Sequence, residues 1–174
     1  MKTDQDRLFE QLFERLRGPL YAHLCRLIGD RERAEELLQD VFLRAYRALP
    51  KLPPEANHRA WLYRIASNAA RDHHRRQRLR AWLPLPDDEH SSAARSAPDG
   101  SALSSGASPD LEEAIAVQAA LQTLKPIYRE PLILYSIEGL SVAEVAEVLG
   151  IGLSAAKMRL ARARALFRQA YTAE

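Results

Sequence analysis

Apolar residues recur at helical spacing along most of the chain. Leu8, Phe9, Leu12, Phe13 and Leu16 form a first stripe, which Gly18-Pro19 is expected to end; Leu20, Leu24, Leu27 and Ile28 form a second, closed by Gly29. Asp30 is placed to cap a third helix, with Ala34, Leu37, Leu38, Val41, Phe42 and Ala45 inward. Pro50, Pro53 and Pro54 then break the pattern. Asn57 is placed to cap the next helix, whose inward residues are Trp61, Leu62, Ile65 and Ala69. Leu111, Ile115, Leu121 and Leu124 predict a further helix, and a proline-containing one follows over 127–137. Ser141 and Glu144 have capping-box spacing, and Val145, Ala146 and Leu149 face inward until Gly150 ends that helix. The last helix begins near Ser154, with Ala156, Leu160, Ala163 and Phe167 on one face. No convincing period-two pattern occurs, so the expected fold is all-α.

Between these helical stretches, residues 84–109 change character. They are rich in Ser, Ala, Pro and Asp and nearly empty of large apolar residues. Such a segment cannot bury enough surface to fold alone and reads as a flexible acidic linker. The expected organisation is therefore one helical domain over 1–83, the linker, and a second domain over 110–174. The two helices around Gly150, the second one basic, are a helix-turn-helix signature.

Composition sharpens this picture in three places. The chain has 174 residues and a net charge of only +2, yet Trp61–Arg80 carries six arginines against one acid, Asp72. Within that helix Arg64, Asn68, Arg71 and Arg75 fall at i, i+4, i+7 and i+11, a continuous stripe flanking the apolar face. Arginines so placed can follow phosphates, and an asparagine among them offers a donor and an acceptor to a base edge. Conversely, residues 30–40 hold five acids and two arginines. An acidic face beside a basic one suits a protein partner with a basic surface, or plain solubility. Third, Cys25 is the only cysteine, so no disulfide forms within the chain. The N-terminus lacks a signal-like apolar run, and no stretch approaches the roughly 20 apolar residues of a membrane helix. A cytoplasmic protein without direct membrane insertion is the expectation.

Asp72, His73 and His74 raise a metal-dependent phosphodiesterase as one reading. Adjacent histidines on a helix diverge by about 100° and poorly share one ion. No HExxH, CxxC or phosphate-cradling glycine loop occurs, so no metal, cofactor or catalytic residue is assigned. A stand-alone helix-turn-helix regulator is a second reading, which leaves the acidic helix and the Trp61–Asn68 block unexplained.

Two long segments carry a resemblance that accounts for both. DRERAEELLQDVFLRAYRAL, followed by WLYRIASNAARDHHRR, resembles region 2 of bacterial sigma factors of the extracytoplasmic-function (ECF) group. LKPIYREPLILYSIEGLSVAEVAEVLGIGLSAAKMRLARAR resembles their region 4. The resemblance implies a non-enzymatic protein that binds core RNA polymerase, directs it to promoters and helps melt them. By that likeness Glu36, Gln39, Asp40 and Phe42 would dock on the clamp helices of the polymerase largest subunit. Trp61, Arg64, Asn68, Arg71, His74 and Arg75 would engage the melted minus-ten element. Ser154, Lys157, Met158, Arg159 and Arg162 would meet the minus-thirty-five element, with Arg162 the first choice for a base edge. An anti-sigma factor is the further partner implied. The chain departs from the family pattern at Leu52-Pro53-Pro54, where Phe-Arg-Gly is common, and at Ala155-Ala156 and Met158.

Overall fold

The computed structural model describes residues 4–82 and 109–172. Seven α-helices occur among the described residues, and no strand. In chain order they are α1 (Asp4–Ile28), α2 (Arg31–Ala48), α3 (His58–Trp82), α4 (Pro109–Thr123), α5 (Pro126–Ser136), α6 (Val142–Leu149) and α7 (Leu153–Tyr171), with a short 3-10 turn over Leu49–Lys51. The expected linker lies outside the described residues except Pro109, the first residue of α4.

Helices α1, α2 and α3 pack on one another as a three-helix bundle. Its first two stripes belong to one helix, because α1 runs straight through Gly18-Pro19. Proline removes one backbone donor and crowds the carbonyl four residues back. Here Pro19 and Arg15 both face solvent, so water can serve the freed carbonyl. Leu16, Leu20, Leu24 and Leu27 meanwhile form one unbroken buried row. Burial of that row outweighs the local preference to break. The same logic lets α5 contain Pro131, since Ile127, four residues back, is half exposed.

The caps follow the sequence closely. The Asp30 carboxylate accepts from the Arg33 amide at 3.1 Å, and Gly29 turns the chain at φ 78°. Asn57 Oδ1 accepts from the Ala60 amide at 3.0 Å. Ser141 and Glu144 close a reciprocal box, and Gly150 ends α6 at φ 64°, a conformation glycine enters without a Cβ penalty. Between α4 and α5 the Arg129 guanidinium donates to the carbonyls of Gln122 and Leu124 at 2.8 and 2.9 Å, satisfying the end of α4.

Helices α4–α7 form the second helical unit, with α7 packed on α4, α5 and α6. It is not held apart from the first. Helix α6 lies on α3 and α5 lies on α1, and the buried apolar residues of both halves join in one cluster. Periodicity gave no hint of this, because it reports which face of a helix is covered and not by what.

Candidate nucleic-acid interface

Helix α3 presents two different faces. Leu62, Tyr63, Ala66, Ser67, Ala69 and Ala70 are buried. Arg64 and Asn68 are exposed, and Arg75 is largely so. The stripe therefore borders the core as expected, and Trp61 is half-buried at its start. Two of its members are engaged. Arg75 pairs with Asp72 at 3.0 Å, an exposed contact worth little. Arg71 lies 3.5 Å from the buried Glu130 of α5 and donates to the Ser67 carbonyl at 3.3 Å. His74 is turned to the protein interior, with Nε2 3.1 Å from the Leu27 carbonyl at the end of α1. Its ring thus holds α3 to α1. His73 faces elsewhere; burial, followed by the neighbouring His74 and Arg33 charges, lowers its pKa.

On α7, Ala156, Leu160 and Ala163 are buried and place the remaining residues on the surface. Met158 is 71% exposed, and Ser154, Lys157 and Arg162 are exposed. Arg159 is half-buried, and its charge favours ionisation of Glu130.

The acidic helix α2 also needs one correction. Gln39 is exposed; Asp40 pairs with Arg44 at 2.6 Å and Glu36 with Arg33 at 2.7 Å. Phe42 is only 6% exposed and packs edge-on against Phe13 and Phe9 with ring centroids 4.8 and 6.1 Å apart. A ring enclosed in that aromatic cluster offers no docking surface. Leu43 and Tyr46, 57% and 45% exposed, are the apolar side chains that α2 presents beside the acids.

Sequence reasoning missed a polar junction between the halves. Glu138, just beyond α5, is buried, and its carboxylate receives Arg26 Nη1 at 3.1 Å and the Tyr63 hydroxyl at 2.7 Å. His23 Nδ1 lies 3.7 Å away, and Arg59 donates to the Glu138 carbonyl. Burial alone would raise the Glu138 pKa, but His23, Tyr63 and Arg26 outweigh it and hold the carboxyl below its ordinary value. Burial, then the adjacent carboxylate, pushes the Tyr63 phenol well up. Glu130 behaves oppositely: burial raises its pKa despite Arg71. Asn57 also donates across the junction to Glu144 at 2.6 Å, and Gln122 to the Arg26 carbonyl at 2.9 Å. One signal for this existed in the sequence: His23 sits on the otherwise apolar Leu20–Leu27 row.

Comparison with known proteins places these surfaces in a family. Residues 12–80 match the family model for Sigma-70 region 2, and residues 114–167 match that for Sigma-70, region 4. The chain is 35% identical to the ECF RNA polymerase sigma factor SigM of Mycobacterium tuberculosis, over 90% of this chain and 74% of that protein. It is 36% identical to the RNA polymerase sigma factor CarQ of Myxococcus xanthus, over 88% and 83%. Among solved structures, CnrH in complex with the cytosolic domain of CnrY is similar at a TM-score of 0.68 and 29% identity, covering 97% of this chain and 90% of that one. The chain belongs to the RNA polymerase sigma factors of the ECF group. A solitary helix-turn-helix regulator does not account for the region 2 match, which carries α3 and its stripe. No described helix is long and apolar enough to cross a membrane.

Proposed function

We propose that this chain directs core RNA polymerase to promoters in the cytoplasm, without a catalytic site of its own, with residues 1–83 and 110–174 as its two working domains. The observation that carries the assignment of roles is the exposed Arg64–Asn68–Arg75 edge of α3 within the region 2 match. In this reading Arg64, Arg71 and Arg75 follow the backbone of the melted minus-ten strand. Asn68 reads a base edge, and Trp61 offers a surface on which an unstacked base rests. His74, tied to the Leu27 carbonyl, positions the helix. On α7, Arg162 reads the minus-thirty-five element, Lys157 and Ser154 meet phosphates, and Met158 adds apolar contact. Arg159 joins them. Glu36, Gln39 and Asp40, with Leu43 and Tyr46 in place of Phe42, face the polymerase clamp helices. An anti-sigma protein is the further partner, supported by the similar CnrH structure, solved with the cytosolic domain of CnrY.

Run-off transcription with core polymerase on pooled genomic promoter fragments tests the role. Transcripts that depend on this chain are expected, and their absence with an active core enzyme defeats it. The residue assignments separate by readout. Asn68→Ala is expected to cost about 1–3 kcal/mol of discrimination at one minus-ten position. Arg64→Ala should instead weaken binding to all sequences and reduce the salt slope by about one. Arg162→Ala should relax preference at one position in a library of randomised minus-thirty-five elements. An unaltered profile in both the Asn68 and Arg162 variants removes them from readout.

A further inference from the structure

We propose that the DNA-binding edge of α3 runs on to its last residue, and that Arg78 and Trp82 grip the paired DNA next to the melted minus-ten strand. The inference rests on the sigma-factor reading and extends it to residues which that reading leaves out. Arg78 and Trp82 stand fourteen and eighteen positions after Arg64. At about 100° per residue they continue the row of Arg64, Asn68, Arg71 and Arg75, and Trp82 returns to the direction of Arg64 after five full turns. Helix α3 is continuous to that point, so the row is unbroken. From Arg75 onward every residue of α3 is exposed, Leu79 at 62% and Trp82 at 89%. These last turns bury no apolar side chain, so packing within the protein does not account for the indole. Arg75, Arg76, Arg78 and Arg80 lie here without an acid, and only Arg75 has an acidic partner among the described residues.

The arrangement of charge selects the occupant. Leu79 and Trp82 beside arginines would also suit an anionic lipid surface, but a helix lying on lipid keeps its cations off the face that enters the acyl region. Here Arg75 and Arg78 lie within about 40° of Trp82 around the helix, on the same face. Cations and an indole on one face fit a groove of nucleic acid, where guanidinium groups meet phosphates and an apolar side chain covers sugars or wedges a base step. The face is also continuous with the exposed Arg64 and Asn68 edge assigned to the minus-ten element. Distance and direction select paired DNA. Trp82 lies about 21 Å along α3 from Asn68, or roughly six base steps at about 3.4 Å each. There the chain leaves α3 for the unit with the region 4 match, which the sigma-factor reading places on the duplex minus-thirty-five element. The Trp82 end of α3 is thus the end turned to DNA that stays paired.

Trp61 and Trp82 are the two tryptophans of the chain, so subtraction of Trp82→Phe isolates the Trp82 fluorescence. The full-length chain is titrated with a random-sequence duplex at low salt, and acrylamide quenching of Trp82 should fall by at least half on binding. Trp82→Ala, with unchanged circular dichroism, should weaken duplex binding about fivefold or more, and Trp82→Phe about twofold at most. Arg78→Ala should lower the salt slope by about one. A second arm uses the holoenzyme on a promoter recovered by run-off transcription. There Trp82→Ala should weaken the complex with the full duplex promoter about fivefold more than the complex with its isolated minus-ten strand, whereas Asn68→Ala weakens both alike. Unchanged Trp82 quenching with duplex, full duplex affinity of Trp82→Ala, or an equal loss on the isolated strand overturns the proposal. So does protection of Trp82 by phosphatidylglycerol vesicles and not by duplex, which assigns the face to lipid. A chain that yields no transcript with active core polymerase counts against the sigma-factor reading, while quenching in the free chain still decides whether Trp82 meets duplex DNA.

Discussion

Phe42→Ala is expected to destabilise the protein by about 3–5 kcal/mol, while Leu43→Ala changes stability by about 0.5 kcal/mol or less. The two residues are apolar neighbours on α2, and what they face sets them apart. Phe42 fills the space between Phe13 and Phe9 at 6% exposure, so truncation loses both transfer energy and contact on all sides. Leu43, 57% exposed, has little to lose on folding. Binding to core polymerase should rank them in reverse once folding is accounted for. Leu43→Ala should lower affinity in a fully folded protein, and a residual folded fraction of Phe42→Ala should bind normally. Urea unfolding and core-binding titration on the same samples check both. A stable Phe42→Ala that binds core polymerase poorly would return that ring to the docking surface.

Acid is expected to weaken the protein through Glu138, after a smaller effect of opposite sign through Glu130. Glu138 has a depressed pKa, so its contribution is complete above the ordinary carboxylate value of 4.5 and is lost as pH falls through its lower folded value. The groups facing it are His23, Arg26, Arg59 and Tyr63. Removing one member of such a buried set costs about 3 kcal/mol, the lower end of the range because Arg26 keeps 30% of its side chain in water. Burial raises the Glu130 pKa against the opposing pull of Arg71, 3.5 Å away, and of Ser67, His23 and Arg159. Its buried charge costs stability at neutral pH, and that cost is relieved as it takes up a proton on acidification. Urea midpoints measured downward from pH 7 should hold level or rise slightly, then fall below about pH 4.5. Glu138→Gln should abolish much of the fall, and Glu130→Gln the rise. An unchanged acid limb in Glu138→Gln would mean that other carboxylates govern it.

The sequence by itself determined which segments are helical, most of their covered faces and most of their ends. Ala34, Leu38, Val41, Phe42 and Ala45 are buried as their spacing requires, and so are Ala156, Leu160 and Ala163. Asp30, Asn57, Ser141 with Glu144, and Gly150 are caps whose partners lie within four residues, so short-range chemistry suffices to find them. The basic edge of α3 was legible for the same reason, since Arg64, Asn68, Arg71 and Arg75 sit on one helix and their spacing alone aligns them. Only the tertiary structure decided the rest. It carried α1 through Pro19, because burial of the Leu16–Leu27 row against α2 and α3 outweighs a local break. It chose Phe13 and Phe9 of the first helix as the rings that cover Phe42, which spacing on α2 cannot name. It brought Glu138 to His23, Arg26, Arg59 and Tyr63, partners 75 to 115 positions away along the chain. A helical period carries no information about such pairs. They exist only where two separately legible surfaces meet, and burial of their charges is what makes them strong.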